Sequence, residues 1–256
     1  MLLEVLFGSL VGGTLGLIGG GGSALAVPLL VYGIGLETRE AIATALLVVA
    51  LAALAGATRH WVAGTLQLRI AVTFGIVGIF GSAAGAQFAR LLAPPVQMTL
   101  FAVMMILAAG CMLKRPGHGK ADESRLEGKQ VSFTFRVVLA APAAGTLTGV
   151  SGLGGGFVVV PTLVFIVGLP IHKAIGTSLL VIVFNASGGV VSYASYVSLD
   201  MPTLIPFAGA AVLASVAGAF LSRYVLDTHL RSAFAIGLML LGIFTIAKES
   251  LVIWSS

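Results

Sequence analysis

The sequence is short of charge. Only 9% of its 256 residues are Asp, Glu, Lys or Arg, against about a quarter in an ordinary soluble domain. Fourteen basic and nine acidic residues cannot coat a water-facing surface of this size. A soluble globular domain is excluded, and a composition that is 58% hydrophobic excludes a disordered chain. There is one cysteine, Cys111, so no disulfide forms within the chain and no Cys/His metal spacing exists. The glycine-rich stretches lack the Lys-Ser/Thr of a phosphate-binding loop. No nucleophile–base set is present. These absences point away from an enzyme and from any cofactor. The N-terminus has no basic region of the signal-peptide kind, so the first apolar segment is expected to stay in place.

What is present is apolar sequence, with a mean hydropathy of +1.10. The chain reads as an all-α integral membrane protein whose partner is the lipid bilayer. The net charge of +5 and pI near 9.7 invite a nucleic-acid reading. The bases instead cluster between apolar runs, as cytoplasmic loop charge does, and no nucleic acid is expected. The runs without charge are Val5–Leu36, Ala41–Thr58, Ile70–Ala89, Leu91–Leu113, Val137–Ile171, Ala174–Leu199, Met201–Ser222 and Ser232–Ala247. Most approach the roughly 20 residues that one helical span needs. Val5–Leu36 and Val137–Ile171 are too long, at about 48 and 52 Å as straight helices. Each must tilt steeply, break or turn back.

Glycine marks where. The first long run contains Gly16-Leu17-Ile18-Gly19-Gly20-Gly21-Gly22-Ser23, and the second Gly149-Val150-Ser151-Gly152-Leu153-Gly154-Gly155-Gly156. Consecutive glycines each cost a helix up to about 1 kcal/mol. Pro28 and Pro161 follow. Their offset of 133 also pairs Gly12 with Gly145, Gly16 with Gly149, Gly35 with Gly168, Thr44 with Thr177, Ser82 with Ser215 and Arg90 with Arg223. The chain therefore divides into a first transmembrane repeat (1–113), a basic linker (114–136) and a second repeat (137–256). Each repeat has a glycine-broken first helix or re-entrant hairpin plus about three spans.

The linker bases put 114–136 in the cytoplasm by the positive-inside rule. If each half crosses four times, both halves point the same way, with nine bases inside and five outside. If each long run folds as a hairpin, the halves are inverted, with eleven inside and three outside. The inverted arrangement fits better. It is a common plan for secondary transporters, whose broken helices meet near the midplane.

Non-helical backbone at membrane depth survives only where protein or a wet cavity covers it. Unpaired N–H groups at a helix start bind anions without a charged side chain. Gly19, Gly20, Gly21, Gly22 and Ser23, with Ser151, Gly152, Gly154, Gly155 and Gly156, are thus candidate anion-binding residues. The competing reading is close helix packing, which suits Gly12, Gly16, Gly145 and Gly149 better. Thr44, Thr177, Ser178 and Asn185 are candidate lining residues. A Thr often bonds only its own helix, whereas a buried amide needs partners. Arg59 and His60 end the second span, where they either tune the site or anchor at the interface. All nine acids lie outside the apolar runs, so no carboxylate proton relay is expected within the spans.

The pattern Gly16-x-x-Gly19-x-Gly21-Gly22 ending at Pro28 resembles the first repeat of the sulfite exporter TauE/SafE family. Gly149-x-x-Gly152-x-Gly154-Gly155-Gly156 ending at Pro161 resembles the second. Ala174-x-Gly176-Thr177-Ser178-Leu179 matches the family's Thr-Ser motif. The first half departs from it with Ala43-Thr44-Ala45, and Ser23 stands where the second repeat has Gly156. The resemblance implies a multi-pass permease of the bacterial cytoplasmic (inner) membrane. Its substrate class is sulfite, sulfoacetate and other organosulfonates, usually moved outward. The expected partner is thus a small anion, with a homo-oligomer left open. The rival classes are a membrane anchor or assembly protein without transport, and a permease for another small anion.

Overall fold

A computed structural model of the chain describes residues 1–114, 130–151, 156–194, 197, 199–224 and 227–255. All regular structure among these residues is helical. The first half holds α1 (Leu2–Ile18), α2 (Ser23–Pro28) running into a π-helix (Leu29–Ile34), α3 (Thr38–Val62), α4 (Leu68–Ala89) and α5 (Pro94–Lys114). The second repeats this order: α6 (Gln130–Ser151), α7 (Gly156–Thr162) running into a π-helix (Leu163–Val167), α8 (Ile171–Ala194), α9 (Met201–Leu221) and α10 (Asp227–Ser255). Among the described residues, α3, α4, α8 and α9 are each long and apolar enough to cross a membrane. Phe80 and Leu213, repeat mates on α4 and α9, are 73% and 75% exposed. Apolar side chains so uncovered suit contact with lipid.

The first long run turns back on itself. α1 stops at Gly19, whose φ of +74° lies where only glycine sits without strain. A 3-10 turn, Gly20–Gly22, follows. The returning segment then lies along α1, with Gly22 against the backbone of Leu15 and Val11 and Gly33 against the Phe7 ring. Pro28 lacks an N–H, and the wider π-helix follows directly after it. Gly35 ends it at φ +88°, and the N–H groups of Gly35 and Leu36 both reach the Leu30 carbonyl. The same closure recurs 133 residues later, where Gly168 (φ +85°) and Leu169 reach the Leu163 carbonyl.

The two halves interlock. α1 runs parallel to α9, with Gly8, Gly12 and Gly16 seated on the carbonyls of Phe207, Ala211 and Ser215. α6 packs on α4 in the equivalent register, with Gly145 on the Gly78 carbonyl and Gly149 on that of Ser82. Without a Cβ the backbones approach closely, which is how membrane helices gain packing energy when lipid competes for every apolar contact. The packing reading of Gly12, Gly16, Gly145 and Gly149 describes what is seen.

α3 and α8, equivalent in the two halves, run antiparallel at the centre. Gly56 meets Leu179, and Gly189 meets Leu46. Two buried serines hold them to their neighbours: Ser82 Oγ donates to the Asn185 carbonyl and Ser215 Oγ to that of Ala52, both at 2.7 Å. One end of this pair carries Arg59, the 63–67 turn and Lys173, since the Gln67 N–H donates to Thr177 Oγ1. The other end carries Arg39, Glu40, Arg90 and Asp200, since the Asp200 N–H donates to Glu40 and Arg90 donates to the Ser192 carbonyl.

Candidate functional site

The two interruptions touch. A Cβ at Gly20 would overlap the backbone of Gly156, and one at Gly156 would overlap Gly20. Gly19 faces α8, where an added Cβ would come within 2.9 Å of Ser178 Oγ and 3.2 Å of the Ile175 Cα. The first break thus lies between α8 and the start of α7. Gly21 lies in the 3-10 turn between Gly20 and Gly22. Gly152, Gly154 and Gly155 lie outside the described residues, and Ser151 is the last residue of α6.

Most hydroxyls expected to line the site spend their hydrogens on nearby carbonyls. Ser23 Oγ donates to Gly20 O at 2.6 Å, Ser178 Oγ to Ile175 O at 2.8 Å and Thr177 Oγ1 to Lys173 O at 2.6 Å. Such bonds stabilise the local turn and leave lone pairs rather than donors. Thr177 uses one lone pair to accept the Gln67 N–H at 3.1 Å.

Three of the expected residues behave differently. Thr44 Oγ1, His60 Nε2 and both amide atoms of Asn185 are buried and meet no hydrogen-bond partner among the described residues. Thr44 and Asn185 are fully buried, and His60 is 4% exposed. Each unmet group costs about 1–3 kcal/mol, so a native structure that keeps them invites a functional account. Asn185 packs its amide against Gly78 of α4. His60 packs against Gly176 and places Nδ1 2.8 Å from Thr65 Oγ1.

These residues do not share one chamber. The antiparallel register of α3 and α8 places Thr44 near one end, Asn185 near the middle, and Ser178, Thr177 and His60 towards the other. Thr44 and Thr177 are separated by about fourteen residues of axial rise, or ~21 Å. Arg59 is directed elsewhere, with its guanidinium over the Phe220 ring at 5.0 Å from the centroid. Beside it, Trp61 is 58% exposed, as an interfacial aromatic would be.

Sequence reasoning missed Gln97 and Tyr193. Gln97 Nε2 donates to the Val150 carbonyl at 2.6 Å and to the Tyr193 hydroxyl oxygen at 3.1 Å. The available signal was a lone amide, Gln97, within the apolar run Leu91–Leu113.

The family described as "Sulfite exporter TauE/SafE" matches residues 4–245. The chain belongs to this family. A probable membrane transporter protein of Xylella fastidiosa is 32% identical over 259 residues, covering all of this chain and 96% of its own length. The probable membrane transporter protein YdhB of Bacillus subtilis is 28% identical, covering 91% of this chain and 94% of its own. A probable membrane transporter protein of Methanocaldococcus jannaschii is 27% identical, with 94% of each chain covered. No solved structure matches. The chain is a multi-pass integral membrane protein and a membrane transporter of the TauE/SafE type.

Proposed function

We propose that this TauE/SafE transporter exports a small sulfur-containing oxyanion, such as sulfite, sulfoacetate or another organosulfonate, by alternating access. The observation that carries the reading is the contact of two glycine-rich interruptions, Gly20 on Gly156, within a family of membrane transporters. Two broken helices that meet can separate and offer backbone N–H groups to an anion between them. No acid lies in the apolar runs, which suits an anion and disfavours a cation. The contact closes the route in this conformation, so binding requires the halves to shift against each other.

Inverted repeats are the second part of the reading. They are supported by the antiparallel course of the equivalent helices α3 and α8. They are supported again by Lys173 lying at the same end as Arg59 and Arg69, the grouping that gives eleven bases inside.

A second reading, an assembly or anchor protein without transport, is favoured by one observation: Gly20 and Gly22 pack as tightly as the glycines of the helix interfaces. Flux through proteoliposomes decides between them. Sulfite, sulfoacetate, sulfate and taurine would be offered with and without a pH gradient. Saturable flux of a sulfur oxyanion is the expected result, and absence of flux for all four overturns the substrate assignment. Anion-dependent thermal stabilisation of the purified protein is expected of a transporter and not of a scaffold.

A further inference from the structure

The two ends of the α3/α8 pair are closed differently. Tyr193 ends α8 and His60 lies near the end of α3, at equivalent positions 133 residues apart. Tyr193 is 1% exposed and Gln97 3%. Gln97 projects from α5 and uses both hydrogens of Nε2, one on Val150 O and one on the Tyr193 hydroxyl oxygen. Val150 is the penultimate residue of α6, directly before the second glycine-rich interruption. Its carbonyl is among the last four of that helix, which have no intrahelical donor. One side chain therefore ties α5 and the end of α8 to the end of α6. Arg90 adds a second tie at the same end through the Ser192 carbonyl, at 3.2 Å.

At the other end the His60 ring places Nδ1 2.8 Å from Thr65 Oγ1 of its own turn. Its Nε2 meets no partner among the described residues. Thr177 and Gln67 join α8 to the 63–67 turn, but that bond does not reach an interruption.

We propose that Gln97, Tyr193 and the Val150 carbonyl form a latch that holds the Arg90 end of the substrate route shut, and that this end opens only when the latch parts. Gln97 is then a positioning residue for the end of α6. The proposal rests on the transporter reading above. Thr44 lies just inside the latch, two positions deeper than Tyr193 in the α3/α8 register, and Thr177 is its counterpart at the opposite end.

The test is thiol accessibility in proteoliposomes. Protein carrying Cys111→Ser receives either Thr44→Cys or Thr177→Cys, and a membrane-impermeant maleimide is applied from each side. Adding Gln97→Leu removes both hydrogen bonds and is expected to raise the labelling rate of Thr44→Cys at least about tenfold, at net contributions of about 0.5–1.5 kcal/mol per bond. Labelling of Thr177→Cys should change by less than about twofold on the same scale. Tyr193→Phe keeps the bond to Val150 and is expected to give a smaller rise, so the question stays answerable if Gln97→Leu folds poorly. Equal changes at both ends, or no change at Thr44→Cys in either background, would overturn the latch. Flux of the Cys111→Ser parent on the same anions separates the two ideas. No flux with asymmetric labelling overturns the transport reading alone, and normal flux with symmetric labelling overturns the latch alone.

Discussion

The two ends of the central helix pair share a backbone plan and differ in chemistry. At the Arg59 end, Thr177 accepts the N–H of Gln67. At the Arg90 end, the equivalent N–H belongs to Asp200 and goes to Glu40, and Thr44, the mate of Thr177, meets no partner among the described residues. His60 and Tyr193 diverge in the opposite sense: Tyr193 accepts from Gln97 of α5, whereas His60 Nε2 meets no partner among the described residues. The centre diverges too, where Asn185 stands opposite Ala52. The two halves interlock through equivalent contacts, while the residues at the two ends differ.

The largest effect is expected where the halves meet. Gly20→Leu puts a side chain into the Gly156 backbone, and flux is expected to fall at least about a hundredfold, with overpacking costing ~1–3 kcal/mol of stability. Flux assays paired with membrane yield check this. Near-normal flux would show that the interruptions do not participate.

Asn185→Leu tests the unequal centre. Replacing a buried amide that meets no partner among the described residues by an apolar group of similar size is expected to leave the melting temperature unchanged or raise it, by up to about 1–3 kcal/mol in stability. Flux should nevertheless fall roughly tenfold if the amide meets the anion, a factor equivalent to about 1.4 kcal/mol. A fall in thermal stability matching the fall in flux would make Asn185 a packing residue only.

The threonine pair sharpens the contrast between ends. Thr177→Val is expected to cost about 1 kcal/mol by removing two hydrogen bonds, whereas Thr44→Val should cost nothing or stabilise. Thermal unfolding of the purified variants reads this directly, and equal losses would contradict the unequal ends. The smallest effect is expected for Arg59→Gln. Losing its ring contact should cost about 0.5–1 kcal/mol and change flux by less than about twofold, since its charge lies over Phe220 rather than at the interruptions.

Much of this architecture is legible in the residues. Runs of 32 and 35 uncharged residues exceed what one crossing uses, and the glycine clusters mark where the chain turns. For the first run the contacts of Gly22 and Gly33 display that turn. The packing role of Gly12 and Gly16 also follows from their four-residue spacing. The axial placement of the polar residues was not legible, because it depends on the antiparallel register of α3 against α8. Thr44 and Thr177 look like partners in sequence, yet that register sets them at opposite ends. Whether a hydroxyl is free was equally hidden. Ser23, Ser178 and Thr177 are polar residues in apolar runs just as Thr44 is, and only the coordinates show that nearby carbonyls take their hydrogens. Gln97 escaped notice because its role needs Val150 and Tyr193, both from the other half, beside it.

The glycine stripe of α1 bears on biogenesis. Gly8, Gly12 and Gly16 find their seats on α9, one of the last helices to leave the ribosome. Until then the first hairpin must wait among lipids with its groove uncovered, and neither half can finish folding by itself. Each half is in effect the template for the other, so two fragments severed between the repeats should recover the native fold when made together and fail when made alone.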